Sequence, residues 1–333
     1  MKFDVIVGNP PYQENNDIGN RKQLSHNLYS KISLISFRIS KLEGIVSLIV
    51  PTSWMSSSSS KESKSKNEKK MFKNLFKEKY IEYLNINNIN AFKGIGSLFS
   101  YFIIRNINMN NSKTVVNCRY KNNEYISKID FKKNFYWFPI LLTKETISII
   151  NKTCWNKELI KMDIKNSNFY HPVVVNGHKS RSLSKDKDNK NIYPLYHTNA
   201  KIKWGNEPTE NQYMKKVLFS KSGYIKPIYD SGIFGTTDAA FWISVESEKI
   251  ALNIINIINL KLYKFILEIS KWSGFNMPEV LYSLPSVDFS RSWSDQDLYE
   301  YFNLTQKEIN FIEAGFFLRK KFSNQCKMCI IYT

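Results

Sequence analysis

Short apolar runs alternate with helix-spaced apolar positions as far as about residue 115, and then the rhythm changes. Val5-Ile6-Val7 is an apolar run closed by Gly8, which predicts a strand almost at the first residue. Residues 13–25 are polar and irregular. Leu28, Ile32, Ile35, Ile39 and Leu42 then fall three or four apart, which predicts a helix over 26–42 ended by Gly44. Ile45 to Val50 reads as a buried strand stopped by Pro51. Strand, helix and strand in that order predict a parallel β-α-β unit with a right-handed crossover. Residues 56–70 are low in complexity and rich in Ser and Lys, so a basic solvated loop is expected there, followed by a helix to about Lys79. Ile81 to Ile86 and Phe99 to Asn106 read as two more strands.

Beyond residue 115 the alternation breaks down. A short helix is expected over Lys144 to Asn151, and from about Phe169 to Asp288 come short strand-like runs with turn signals. Two of these, Tyr193 to Trp204 and Lys216 to Pro227, alternate apolar or aromatic residues with basic ones, a pattern able to present one face to a DNA groove. Ile250 to Leu267 is the longest apolar stretch. Asn253, Asn256, Asn259, Lys261 and Lys264 interrupt it at helical spacing, which predicts an amphipathic surface helix and no membrane span. Leu298 to Lys321 reads as helical, with Thr305-Gln-Lys-Glu308 as a capping box.

Charge narrows the partners. The 333 residues carry a formal net charge of +19, and 14% of them are aromatic. A polyanion is the natural partner, because each Lys or Arg set on a phosphate releases a counterion. Lys-, Asn- and Ile-heavy usage also follows from an AT-rich genome, which raises lysine without selecting for binding. Aromatic residues interleaved with lysines favour nucleic acid over membrane. The four cysteines, Cys118, Cys154, Cys326 and Cys329, suggest a reducing compartment. Cys326-Lys-Met-Cys329 has neither a second pair nor a suitably spaced His, so no metal site is expected. The apolar stretch near the start is too short for a signal peptide, and a cytoplasmic location follows.

The chemistry is carried by Asn9-Pro10-Pro11-Tyr12, directly after the first strand. Two consecutive prolines remove two backbone donors and fix two φ angles, so the chain leaves the strand as a rigid extended turn. The Asn9 side-chain oxygen and the Pro10 carbonyl are acceptors, and Tyr12 adds a flat aromatic face. Two acceptors and a stacking surface suit a planar group bearing an NH2, such as adenine. In open α/β sheets ligands bind at the carboxyl ends of strands, which is where this turn stands.

On these residues the chain resembles the gamma-class DNA adenine-N6 methyltransferases of restriction–modification systems. The same order, including Pro51 to Trp54 after the second strand, is found in that family. The resemblance implies an α/β fold: a partial Rossmann-like methyltransferase sheet, then a mainly β target-recognition domain with a helical carboxyl terminus. The implied boundaries are 1–115 for the partial catalytic domain, 116–168 for a connecting segment, 169–293 for target recognition and 294–333 for the helical end. The implied substrate is double-stranded DNA with the adenine flipped from the stack. The resemblance makes Asn9, Pro10, Pro11 and Tyr12 the catalytic turn, with Asn9 beside the cofactor. Phe92 would stack on the base opposite Tyr12, with Phe99 as the alternative. Lys201, Lys203, Trp204, Lys221, Lys226 and Trp272 are the expected DNA contacts.

The family's cofactor is S-adenosylmethionine, held by a glycine-rich turn that stands before Asn-Pro-Pro-Tyr. Only eight residues precede Asn9 here. Tyr229 to Thr237 echoes a cofactor loop but lacks closely spaced glycines, and is rejected for that role. Without a flanking strand, Val5-Ile6-Val7 is an exposed apolar edge that invites another chain. A separate polypeptide supplying the cofactor half is therefore expected, and a cognate restriction endonuclease is a further candidate partner. Two other readings are a non-catalytic DNA-binding specificity subunit or truncated remnant, and a methyltransferase acting on RNA or protein glutamine.

Overall fold

The computed structural model describes residues 2–12, 28–55, 71, 78–86, 98–108, 113–120, 123–131, 135, 137–167, 169–170, 182–198, 201–272 and 277–323. The chain divides into two compact units, Met1–Ser148 and Ile149–Thr333.

The first unit contains strands β1 (Phe3–Gly8), β2 (Ser40–Pro51), β3 (Lys79–Ile86), β4 (Phe99–Asn108), β5 (Thr114–Tyr120) and β6 (Asn123–Ile129). They form one mixed sheet in the order β1-β2-β4-β3-β5-β6. The expected β-α-β unit is present: β1 pairs in parallel with β2, Val5 facing Ile45 and Gly8 facing Leu48, and helix α1 (Leu28–Ile39) joins them. Strand β4 lies antiparallel between β2 and β3. The hairpin β5–β6 adds to β3, so the sheet continues past residue 115, where a connecting segment was expected.

Two local details differ from the periodicity. Helix α1 stops at Ile39 and not at Leu42, and the chain is already in β2 at Ser40. Its buried residues are Tyr29, Ser30, Ser33 and Ser36, while Ile35 and Ile39 face outward. The small serines let the helix sit close, and their hydroxyls are satisfied locally: Ser33 donates to the Tyr29 carbonyl and Ser36 to that of Ile32. Gly44 is not a helix stop. The β1–β2 pairing slips between Phe3 and Val5, and a Cβ on Gly44 would lie 3.1 Å from the carbonyl oxygens of both Phe3 and Asp4. Close backbone approach at this irregularity is what calls for glycine.

The sheet's buried face shows a period of two along most of β2, β4 and β5, broken in β3 by the register shift between Ile81 and Tyr83. Val46, Leu48 and Val50 of β2, Phe102 and Ile104 of β4, Leu84 and Ile86 of β3, and Val116 and Cys118 of β5 are all buried. Intervening positions such as Ser47, Ile49, Tyr101 and Ile103 are half-buried.

The second unit is built on short strands: β7 (Lys165–Asn166), β8 (Leu183–Ser184), β9 (Tyr193–Tyr196), β10 (Ile202–Gly205), β11 (Lys216–Ser220), β12 (Ile228–Asp230), β13 (Gly235–Thr236) and β14 (Ala240–Ser244). They make two four-stranded sheets, β13-β9-β10-β8 and β12-β11-β14-β7. Helix α2 (Lys144–Lys152) contains the division between the units, and α3 (Glu248–Asn259), α4 (Lys261–Ile269), α5 (Pro278–Ser283), α6 (Asp295–Tyr301) and α7 (Gln306–Ser323) complete the second.

The single amphipathic helix expected over 250–267 is two helices meeting at a 59° bend. Leu260 is extended, with φ −68° and ψ 155°, and the Lys261 N–H goes to the Asp295 carboxylate at 2.7 Å. An acceptor from another helix thus starts α4 anew. The asparagine stripe is also not a solvated face: Asn253 and Asn256 donate to the carbonyls of Phe289 and Trp293. No single helix among the described residues is long and apolar enough to cross a membrane. The capping box at α7 is formed, with the Thr305 N–H on the Glu308 carboxylate at 2.6 Å and the Glu308 N–H returning to the Thr305 hydroxyl at 3.4 Å.

Candidate functional site

Because β4 runs against β1, β2 and β3, its first residues lie at the same margin of the sheet as the carboxyl ends of those strands. Three pieces of chain meet there. Asn9 to Tyr12 leave β1, a 3-10 turn at Thr52–Trp54 leaves β2, and Leu98 leads into β4. The Thr52 N–H and hydroxyl both donate to the Leu98 carbonyl, at 2.9 and 3.2 Å. The Trp54 indole N–H donates to the Ser100 hydroxyl at 3.1 Å, and that hydroxyl donates on to the Val50 carbonyl at 3.3 Å. The Pro51–Trp54 stretch therefore ties the ends of β2 and β4 into one platform, with Trp54 buried in it.

On this platform Tyr12 is held at three points. Its ring lies 5.2 Å from that of Phe99, tilted by 43°. Its backbone carbonyl accepts from the Leu28 N–H at the start of α1, at 3.2 Å. Its hydroxyl donates to Asn9 Oδ1 at 2.5 Å. Burial raises the Tyr12 pKa, so the phenol stays a proton donor at neutral pH. An amide oxygen has two lone pairs, and the Tyr12 hydroxyl uses one of them. Pro10 is buried, while Asn9 and Pro11 are exposed.

The four residues of the turn are thus together, and Phe99, the alternative stacking residue, is the aromatic beside Tyr12. Phe99 is itself buried, so it backs Tyr12 and offers little open face. Phe92 lies outside the described residues, as do the basic run at 56–70 and Cys326-Lys-Met-Cys329. The buried thiols of Cys118 and Cys154 are pushed up to about 11 by burial, which makes both poor nucleophiles. Among the described residues no cluster of His, Cys, Asp and Glu is arranged for a metal.

The expected DNA contacts are distributed over the second unit. Lys201 and Lys203 flank Ile202 in the β9–β10 hairpin, Lys201 exposed and Lys203 half-buried. Trp204 is half-buried, with the Lys187 ammonium 5.6 Å over its ring. Lys221 follows β11 and Lys226 is exposed ahead of β12. Trp272 is a correction: at 7% exposure it belongs to the core. The alternating basic face expected of Lys216 to Pro227 is also absent at β11, whose five residues are all buried. Lys216 lies inside the unit, 2.6 Å from the Asp230 carboxylate.

The stretch Tyr229 to Thr237 is occupied by its own neighbours. Gly232 has φ +114° and a Cβ on it would lie 3.0 Å from the Tyr213 carbonyl oxygen, and a Cβ on Gly235 would strike Thr209 and Gln212. The N–H groups of Ile233 and Phe234 both go to Asp230. Close packing around these two glycines leaves no open cradle at this loop.

The family match bears on the amino-terminal part. Residues 1–86 match the Eco57I restriction-modification methylase family. The resemblance drawn from Asn9 to Tyr12 is borne out. The methylase match takes in β1, the Asn9–Tyr12 turn, α1, β2 and β3. An uncharacterized adenine-specific methylase of Mycoplasma pneumoniae is 27% identical over 172 residues, covering 49% of this chain and 37% of that protein. The chain thus matches little more than a third of the length of this methylase relative. Among solved structures, the type IIL restriction-modification enzyme MmeI in complex with DNA aligns with 97% of this chain and 50% of its own, at 9% identity and a TM-score of 0.41. The type IIG restriction endonuclease BpuSI aligns with 91% and 49%, at 9% identity and a TM-score of 0.34.

Proposed function

We propose that this chain is the target-binding part of a site-specific DNA adenine-N6 methyltransferase of a restriction–modification system. The observation that carries the reading is the Asn9–Tyr12 turn, set at the carboxyl end of a parallel strand on a platform of β2 and β4. An adenine extruded from the duplex would bring its amine to Asn9 Oδ1 and the Pro10 carbonyl. Two acceptors hold both N–H bonds in place and fix the direction of the nitrogen lone pair. Tyr12, braced by Phe99, offers its ring to the base. Its hydroxyl already holds the Asn9 amide in one orientation, so the acceptor is preorganised before the base arrives.

S-adenosylmethionine supplies an electrophilic methyl group in such enzymes. Among the described residues no glycine-rich turn forms a cradle for it, since the one candidate loop is filled by Tyr213, Thr209 and Gln212. We therefore assign cofactor binding to a further polypeptide segment or a separate chain. The exposed apolar edge strand β1 supports this, with Val5 57% and Val7 72% exposed. A cognate endonuclease remains a proposed partner on the strength of the family alone. Phe92, with its place in the sequence before β4, is proposed as the opposite wall of the base pocket. Double-stranded DNA would be read by the second unit, and the protein would act in the cytoplasm.

One observation favours a rival. Asn9 Oδ1 is already bonded to Tyr12, as it would be if the turn served only as scaffold in a DNA-binding specificity subunit. Transfer of tritiated methyl from S-adenosylmethionine to adenine-containing duplex DNA separates the two. The assay uses the chain alone, then with the product of the reading frame upstream of its own. Label on adenine N6 that falls about a hundredfold or more in Asn9→Ala, with DNA affinity unchanged, is expected. DNA binding without label in either mixture would leave the specificity-subunit reading standing.

A further inference from the structure

Loop 223–226 and helices α3 and α4 of the second unit enclose a cleft of about 270 Å³. Its walls are of two kinds. Ile225, Ile258 and Leu267 are apolar, while Lys226, Lys264 and Lys271 carry ammonium groups. Lys264 and Leu267 lie on one face of α4, and Lys271 follows the helix two residues past its last residue, Ile269. Lys226 delivers the third charge from the opposite wall. Tyr224 stands at the rim and is 70% exposed.

The charges in this cleft are not neutralised by ion pairs. Lys226, Lys264 and Lys271 form no salt bridge with any described residue. Lys271 has only neutral partners, the Gly223 carbonyl at 2.5 Å and the face of the Tyr224 ring at 5.0 Å. Burial accordingly lowers its pKa, with no carboxylate acting against it. The lining holds one acidic residue, Glu268. Three lysines against one glutamate leave the cleft cationic. An apolar floor, cationic walls and an aromatic rim are the complement of a nucleotide: phosphate for the lysines, and a planar ring for Tyr224.

We propose that this cleft binds one nucleotide of a nucleic-acid strand, with Lys226 and Lys264 on the phosphodiester and Tyr224 stacked on the base. The proposal rests on the DNA-binding reading of the chain and adds to it a contact that lies away from the Asn9 turn. Lys271 orients Tyr224 from behind, so its part is positioning.

The test is titration of the full chain with fluorescently labelled duplex DNA bearing a single-stranded overhang, whose unpaired bases are open to stacking, over a range of salt concentrations. The exposed pair is changed together (Lys226→Ala with Lys264→Ala), and Tyr224→Ala is made separately. Each neutralised phosphate contributes nearly one unit to the slope of log affinity on log salt, so the double variant, which frees one phosphodiester, should flatten that slope by about one unit. Its affinity near physiological salt should fall about tenfold or more. Tyr224→Ala should weaken binding with the slope unchanged. An unaltered affinity and slope in the double variant, while the unsubstituted chain binds DNA, would overturn the cleft and leave the DNA-binding reading intact. If the unsubstituted chain binds no DNA, that reading fails, and the cleft is tested with adenosine 5′-monophosphate by calorimetry. Binding lost in the double variant would sustain a nucleotide site, and no heat of binding would overturn it.

Discussion

Strands β1 and β11 invert the usual relation between sequence and burial. The β1 run Phe3-Asp-Val-Ile-Val-Gly is mostly apolar, yet five of its six positions are exposed. The β11 run Lys216-Val-Leu-Phe-Ser opens with a lysine, yet all five positions are buried. The cause is place in the sheet. Among the described residues β1 is an edge strand with a neighbour on one side only, whereas β11 lies between β12 and β14. Hydrophobicity says that a segment gains from being covered; it does not say what covers it. A naked apolar edge is a surface awaiting a partner, and a buried lysine is a surface already matched, here by Asp230.

The largest expected effect comes from breaking that match. Asp230 takes the Lys216 ammonium at 2.6 Å and also accepts the N–H groups of Ile233 and Phe234. Asp230→Ala leaves a buried charge without its counter-ion and should destabilise the second unit by about 3–5 kcal/mol. Urea unfolding followed by tryptophan fluorescence measures it, and a loss under 1 kcal/mol would mean that Lys216 reaches water.

A milder pair of substitutions tests the comparison directly. Leu218→Ala empties a fully buried site in β11 and should cost about 2–5 kcal/mol. Val7→Ala removes a side chain that is 72% exposed in β1 and should move the stability of the isolated chain by about 0.5 kcal/mol or less. If both substitutions cost the same, the edge is covered in solution and the contrast dissolves. The outcome for Val7→Ala should reverse once a partner segment pairs with β1, because its loss would then weaken association.

The smallest effect concerns an intermediate case, the half-buried His197 between the Lys201 turn and Thr237. Its Nδ1 lies 2.7 Å from the Thr237 hydroxyl, and burial, then the nearby Lys203, hold its pKa below the ordinary 6.5. With a lowered folded-state pKa, the unfolded chain binds more protons in the window between the two values. Stability is therefore fully present above pH 6.5 and declines as pH falls towards the folded-state pKa. Thermal unfolding at pH 7.5 and 5.5 should show this decline as a modest difference, and His197→Gln should remove it.

Much of the first unit was legible because its signals are local. Two prolines after an apolar run define a turn whatever surrounds it, and helical spacing between two strands defines a crossover. The same reasoning placed Tyr12, and the family resemblance offered Phe99 as a stacking candidate, but neither gave the contact between them, because those rings meet only through the order of strands β1, β2 and β4. Helix α1 was legible as a helix and misleading as a packed face. Its serines return their hydroxyls to the helix's own carbonyls, so polarity did not keep them out of the interior. In the second unit Trp272 and Lys216 were both misplaced for one reason: short strands and connecting loops carry too little periodicity to tell an inner face from an outer one.

By itself, then, the sequence determined the Asn9–Tyr12 turn, the parallel β-α-β unit, the capping box at Thr305 and the positive charge of the whole chain. Each follows from sterics or hydrogen bonds within a few residues, or from simple summation. Only the tertiary structure decided that β1 is bare and β11 enclosed, that a carboxylate from Asp295 breaks the long apolar helix at Leu260, and that three lysines from two segments share one cleft. Those outcomes depend on which distant segments become neighbours, and no local pattern of apolar and polar residues encodes that choice.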